Sequence, residues 1–98
     1  MQRTLFHCNG ARSLRAIWTL RELGLDFRLR TLAFPPREHA PDFLLENPLG
    51  TVPLYIDEDG ARMTESVGIA HALATRHPTS GLAVRPDEKG YADYGNWL

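Results

Sequence analysis

The stretch Asn47-Pro48-Leu49-Gly50-Thr51-Val52-Pro53-Leu54 decides the reading of this chain, because it sets a proline at the threshold of a strand. Proline has no N–H to give a ladder, so strands accept it at the first residue or on an edge. Two arrangements satisfy that constraint. In one, the Val52–Pro53 bond is cis and Val52 turns its N–H and C=O outward, where an extended peptide could pair with them as an added strand. In the other, an edge strand simply begins with proline. Either way Asn47–Gly50 is a turn and Val52–Ile56 a strand. Asp57-Glu58-Asp59-Gly60 then makes a tight hairpin into a very short strand over Ala61–Met63.

Working outward, Met63-Thr64-Glu65-Ser66-Val67 leads into an amphipathic helix over Glu65–Arg76, with Val67, Ile69, Ala70, Leu73 and Ala74 on its apolar side and His77-Pro78 as its stop. The start of that helix offers free N–H groups and a positive dipole end, which suit a carboxylate. The Ser66 hydroxyl adds a donor, and Glu65 could hold an ammonium group. Simple capping by Ser66 explains the same residues.

Upstream, Arg3–His7 is a short strand that stops near Cys8, and Asn9-Gly10 turns the chain. Ala11–Leu23 carries Leu14, Ile17, Trp18 and Leu20 at helical spacing, with Trp18 assigned to the core, and Gly24 ends the helix. Phe27–Leu32 alternates apolar and basic residues as a second strand. Pro35-Pro36 breaks the chain, and a loose helix over Arg37–Leu45 turns Phe43, Leu44 and Leu45 inward. The order is β-α-β-α-β-β-α. The crossover helix makes the first two strands parallel and the hairpin makes the last two antiparallel. This predicts an α/β fold of thioredoxin-like plan, with a mixed four-stranded sheet over residues 1–78.

Thr79–Pro86 reads as a linker. Asp87 is placed as the N-cap of a further helix whose Tyr91, Tyr94, Trp97 and Leu98 share one side and want an apolar partner. Residues 87–98 are therefore expected to open an all-helical second domain of a longer protein. The alternative is that this helix folds back on the first 78 residues.

Composition excludes several classes. The chain has 98 residues, 43% hydrophobic and 23% charged, with a formal net charge of −1. No global field attracts nucleic acid, and no apolar run reaches membrane-spanning length. A lone cysteine, Cys8, forms no internal disulfide framework, which fits a reducing, cytoplasmic setting. His7, His39, His71 and His77 lack metal-ligand spacing and are assigned structural or solvent roles, so no metal is expected.

The paired motifs N-P-x-G-x-V-P and, after a short hairpin, E-S resemble the glutathione-binding half of the glutathione transferases. Ala11–Leu25 also looks like that family's first helix, and Asp87–Leu98 like the start of its helical second domain. The resemblance implies that Val52 makes main-chain bonds to the cysteinyl part of glutathione, that Pro53 is the cis proline shaping the site, and that Glu65 and Ser66 hold the γ-glutamyl end. Arg37 and His39 lie where the family often places glycyl contacts, though no motif matches there.

Family members activate the thiol with a donor near the end of the first strand. Phe6, at the tyrosine-type position, cannot donate. Cys8 aligns with serine-type and some cysteine-type members; Asn9 offers an amide and Ser13 a hydroxyl. Some cysteine-type members place their thiol near Arg12. The implied activity is transfer of glutathione, as co-substrate, to a small hydrophobic electrophile, in a homodimer. A chain lacking most of the helical domain is expected to turn over poorly. Two alternatives stay open. One is a glutathione-dependent thiol-disulfide oxidoreductase using Cys8 alone, since Ala11 stands at the second position of C-x-x-C. The other is a non-catalytic interaction domain of the same fold.

Overall fold

A computed structural model describes residues 2–98. Its elements are β1 (Thr4–His7), α1 (Leu14–Glu22), β2 (Arg28–Thr31), α2 (Pro36–His39), α3 (Phe43–Glu46), β3 (Leu54–Ile56), β4 (Arg62–Met63), α4 (Ser66–Arg76) and α5 (Tyr91–Trp97), with a 3₁₀ turn at Pro78–Ser80. The four strands form one sheet in the order β2-β1-β3-β4. β1 pairs in parallel with β2, Thr4 opposite Arg28 and His7 opposite Thr31. It pairs antiparallel with β3, Leu5 opposite Tyr55, and β3 pairs antiparallel with β4.

Alternation along β1 sorts the core into two layers. Leu5 and Tyr55 face one side and pack with Ala16 and Leu20 of α1 and Ile69 and Leu73 of α4. Phe6, Leu54 and Ile56 face the other side and meet Phe43 of α3. The Phe6 and Phe43 rings stand 5.1 Å apart. Helices thus cover both faces of β1 and β3, and the ends of these strands set the positions of the loops around the site.

Several expectations need correction. Trp18 is 67% exposed rather than in the core. Ala16 and Leu20 point at the sheet, and Trp18 lies about 200° around the helix from Ala16. The helix expected over Arg37–Leu45 is two single turns, broken at Ala40-Pro41, because a proline disfavours helical backbone in the residue before it. So short a piece turns one side chain inward. Phe43 is buried, Leu44 is exposed and Leu45 is 87% exposed. β2 is exposed at all four residues, because it lies at the sheet's edge while the core is centred on β1 and β3. β3 begins at Leu54, so Val52 and Pro53 precede it. Asp87 does not cap the last helix, which starts after Gly90 (φ +89°); its carboxylate meets Arg85 Nε at 3.3 Å. Tyr94 of α5 hydrogen-bonds His71 of α4 at 2.8 Å, while Trp97 is 85% exposed.

Candidate functional site

The chain leaves β1 at His7 and turns through Asn9-Gly10, closed by the Ala11 N–H donating to the Cys8 carbonyl at 3.1 Å. Gly10 sits at φ +76°, a left-handed conformation that costs an L side chain. Of the three residues expected to activate a thiol here, two are enclosed. Cys8 is fully buried, and burial pushes its thiol above the ordinary value, against the thiolate. Ser13 is fully buried too. Its Oγ lies 2.6 Å from His7 Nδ1 and accepts the Cys8 N–H at 3.3 Å. This geometry presents neither side chain to a ligand. Asn9 is exposed, with Oδ1 3.2 Å from His7 Nε2.

Beside this junction lies a cleft of about 420 Å³, bounded by Gly10, Arg12, Phe34, Arg37 and Val52 among others. Arg12 and Arg37 are its charged lining residues, and no carboxylate lines it. Such a cleft favours anions and is apolar around Phe34 and Pro35. Arg37 donates through Nε to the Leu49 carbonyl at 2.9 Å, which leaves the tip of its guanidinium available. Arg12 lies just before α1, and the sequence marked it only as the place near which some cysteine-type members carry their thiol; its position in the lining depends on the turn that precedes it.

The N-P-L-G turn explains the far wall. Asn47 is buried and stitches the turn, donating through Nδ2 to the Thr51 carbonyl at 2.9 Å and accepting the Leu49 N–H at 3.1 Å. Gly50 is left-handed, φ +66°, and a Cβ there would collide with Arg37 Cγ. The turn delivers Val52, half-buried, to the cleft, and the Val52–Pro53 bond is cis. Among the described residues, neither the N–H nor the C=O of Val52 pairs with another backbone group.

At the start of α4, Glu65 is exposed and forms no ion pair among the described residues. Ser66 makes no capping bond; its Oγ accepts from Arg15 Nη1 at 3.4 Å. The first N–H groups of α4 lack intrahelical acceptors, as at any helix start. Glu65 and Ser66 do not line the 420 Å³ cleft. Ser66 instead borders a shallow depression with Arg15 and Trp18. The structure therefore gathers Arg12, Arg37 and Val52 at one cleft and sets Glu65 and Ser66 apart from it.

Residues 11–76 match the family model described as glutathione S-transferase, N-terminal domain. A protein of Escherichia coli O157:H7 named glutathione S-transferase GstA is 40% identical over 80 residues, 80% of this chain and 40% of that protein. The chain thus spans about 40% of the length of the curated relatives it matches. Among solved structures, a glutathione transferase from Methylococcus capsulatus superposes with a TM-score of 0.85 at 34% identity, covering 97% of this chain and 48% of that one. A sphingomonad glutathione S-transferase complexed with glutathione superposes at 0.78 with 34% identity, covering 91% of this chain and 45% of that one. The mixed sheet with its helices is thus a thioredoxin-like unit shared with these proteins, and the chain belongs to the glutathione S-transferase N-terminal domain family.

Proposed function

We propose that this chain binds glutathione and holds its sulfur as a thiolate for attack on an electrophilic carbon. The observation that carries the reading is the unpaired main chain of Val52 at the rim of a cleft whose charged lining residues are arginines. Glutathione has chemistry for each part. Its cysteinyl amide can pair with Val52 as an added strand does. Its glycyl carboxylate suits Arg37. Its γ-glutamyl head carries an ammonium for Glu65 and a carboxylate for Ser66 and the α4 N-terminus. An extended tripeptide reaches about 10 Å, and this reading has glutathione run from the cleft to the helix start. The sphingomonad relative complexed with glutathione supports the assignment.

For the sulfur, burial favours Asn9 over Cys8 and Ser13. The Asn9 amide can donate to a thiolate, Arg12 supplies positive potential, and the α1 N-terminus adds to it. The thiolate then forms a C–S bond while the leaving group departs with its electron pair. The oxidoreductase alternative needs the Cys8 sulfur to meet a mixed disulfide, which its enclosure opposes. A hydrophobic second substrate, a homodimer and a cytoplasmic setting belong to the same reading. Because the relatives are more than twice as long, slow turnover is expected from these residues alone.

Calorimetric titration with glutathione, alongside ultraviolet thiolate absorbance of the complex, tests the proposal. Saturable binding, with thiolate present well below the ordinary thiol pKa, is expected. Absence of binding at millimolar glutathione would sink it.

A further inference from the structure

His7 is buried at the end of β1 and hydrogen-bonds through both ring nitrogens. The polarity of this chain of bonds can be worked out from its geometry. Ser13 Oγ already accepts the Cys8 N–H at 3.3 Å, so its own hydrogen must go elsewhere. The choices are His7 Nδ1 at 2.6 Å and the Cys8 carbonyl at 3.4 Å. The shorter contact takes the proton, since an O–H donor bonds at about 2.7 Å and weakens steeply beyond it. Nδ1 is then the acceptor and the ring hydrogen sits on Nε2. Nε2–H faces Asn9 and holds the amide by its oxygen. The opposite end of that exposed amide, the Nδ2 pair of donors, is left free.

We propose that His7 is a positioning residue: through this tautomer it fixes the orientation of the Asn9 amide so that a donor, not an acceptor, is offered to the sulfur of bound glutathione. Without His7 the amide is free to rotate, and part of the thiolate's stabilisation is spent on holding the donor end toward it. Ser13 selects the tautomer, His7 transmits it and Asn9 presents the result. The inference rests on the glutathione-binding reading above, and on Asn9 as the group that meets the sulfur.

Nitrogen-detected magnetic resonance of the unaltered protein gives the first test. A protonated Nε2 and bare Nδ1 on His7 are expected; the reverse tautomer overturns the proposal. The second test reads the pKa of the bound glutathione thiol by ultraviolet absorbance. Asn9→Ala and His7→Phe should each raise it by about one unit, with affinity measured at low pH, where bound glutathione keeps its thiol proton, changed less than about threefold, because a donor to the charged form is lost while the binding contacts stay. The double variant should show no more than either single one. His7→Gln, whose amide can still donate to Asn9, should restore part of the shift. A merely structural His7 would weaken binding and leave the thiol pKa in place, which overturns the proposal, as does a double variant whose shifts add. Should the unaltered protein fail to bind glutathione at all, the function itself falls. Should it bind while Asn9→Ala leaves the thiol pKa unmoved, only the Asn9–His7 assignment falls.

Discussion

The Tyr55 phenol donates a 2.9 Å hydrogen bond to Oδ1 of Asp57, two residues further along and on the same side of the strand. Asp57 also accepts the Glu58 N–H at 2.9 Å, pairs with Arg76 in the last turn of α4 and lies 3.8 Å from Arg3 Nε. One nearly buried carboxylate thus ties the hairpin, the leading strand and the last full helix together.

Asp57→Ala should therefore lower stability by about 2–3 kcal/mol, since it strands a buried phenol and removes the carboxylate that faces Arg3 Nε and Arg76, although Arg3 keeps its bonds to Glu58 and the Asp26 carbonyl. Asp57→Asn should cost less, because its carbonyl still accepts from Tyr55. Arg76→Ala should cost about 0.5–1 kcal/mol, as its side chain is half exposed and water screens the pair. Urea unfolding midpoints read all three. An Asp57→Ala cost no larger than that of Arg76→Ala would show that the carboxylate is not the centre of the network.

Three groups act at the alkaline limit, Cys8 and Tyr55 from the core and Tyr94 of α5, whose phenol is raised by burial and then by Tyr91. Burial raises the Cys8 thiol above its ordinary 9.0 and the Tyr55 phenol above its ordinary 10.0, the latter opposed by Arg3. The native state keeps protons that the unfolded chain would release, so it binds more protons in that range. Stability is then complete below pH 9 and falls as pH rises through the raised values. Cys8→Ala should remove the first part of the decline, leaving the onset nearer pH 10. Unfolding midpoints from pH 7 to 11 test this; a midpoint that holds level to pH 11 in the unaltered protein contradicts it.

How much of this was legible in the sequence follows from the range of the interactions. The order of elements, the parallel first pair of strands and the antiparallel last pair could be read, because hydrophobic period and turn residues are local signals; the pairing of β1 with β3, which joins distant segments, could not. The position of Val52 at the cleft could be read from the proline beside it. Which residues of α1 face inward could not: Trp18 and Ala16 both fit a helical stripe, and only the position of α4 selects between them. Nor could the fate of Cys8, Asn9 and Ser13. All three are small polar or polarisable residues between β1 and α1, and their exposure depends on how the turn folds around His7, whose two ring nitrogens meet Asn9 in the turn and Ser13 after it.

The cleft's charge predicts a salt dependence. Arg12 and Arg37 are exposed and unopposed by any lining carboxylate. Arg37→Gln should weaken glutathione about tenfold at low salt, the loss of one charge-assisted contact of about 1.4 kcal/mol. Raising ionic strength should weaken the unaltered protein more than the variant, because screening acts only on the charge that is present. Titrations at low and high salt give the comparison. Equal salt slopes would remove Arg37 from the ligand's anionic end.

Gly50 joins the turn chemistry to the cleft, and its contribution can be divided by experiment. Gly10 and Gly50 both adopt left-handed backbone, at φ +76° and +66°. A Cβ on Gly10 would meet nothing within 4 Å, whereas one on Gly50 would collide with Arg37 Cγ and touch Leu44 Cδ2 at 3.0 Å. Gly10→Ala should therefore cost only the conformational penalty, about 1–2 kcal/mol. Gly50→Ala should cost that and more, and should also weaken glutathione, because Arg37 must move away from the Leu49 carbonyl that holds it. Combining Gly50→Ala with Arg37→Ala removes the colliding side chain. The double variant should then be more stable than the sum of the single costs predicts, by about 1 kcal/mol of coupling. Strictly additive costs would mean that Gly50 serves the turn alone and that the close approach of Arg37 is incidental to it.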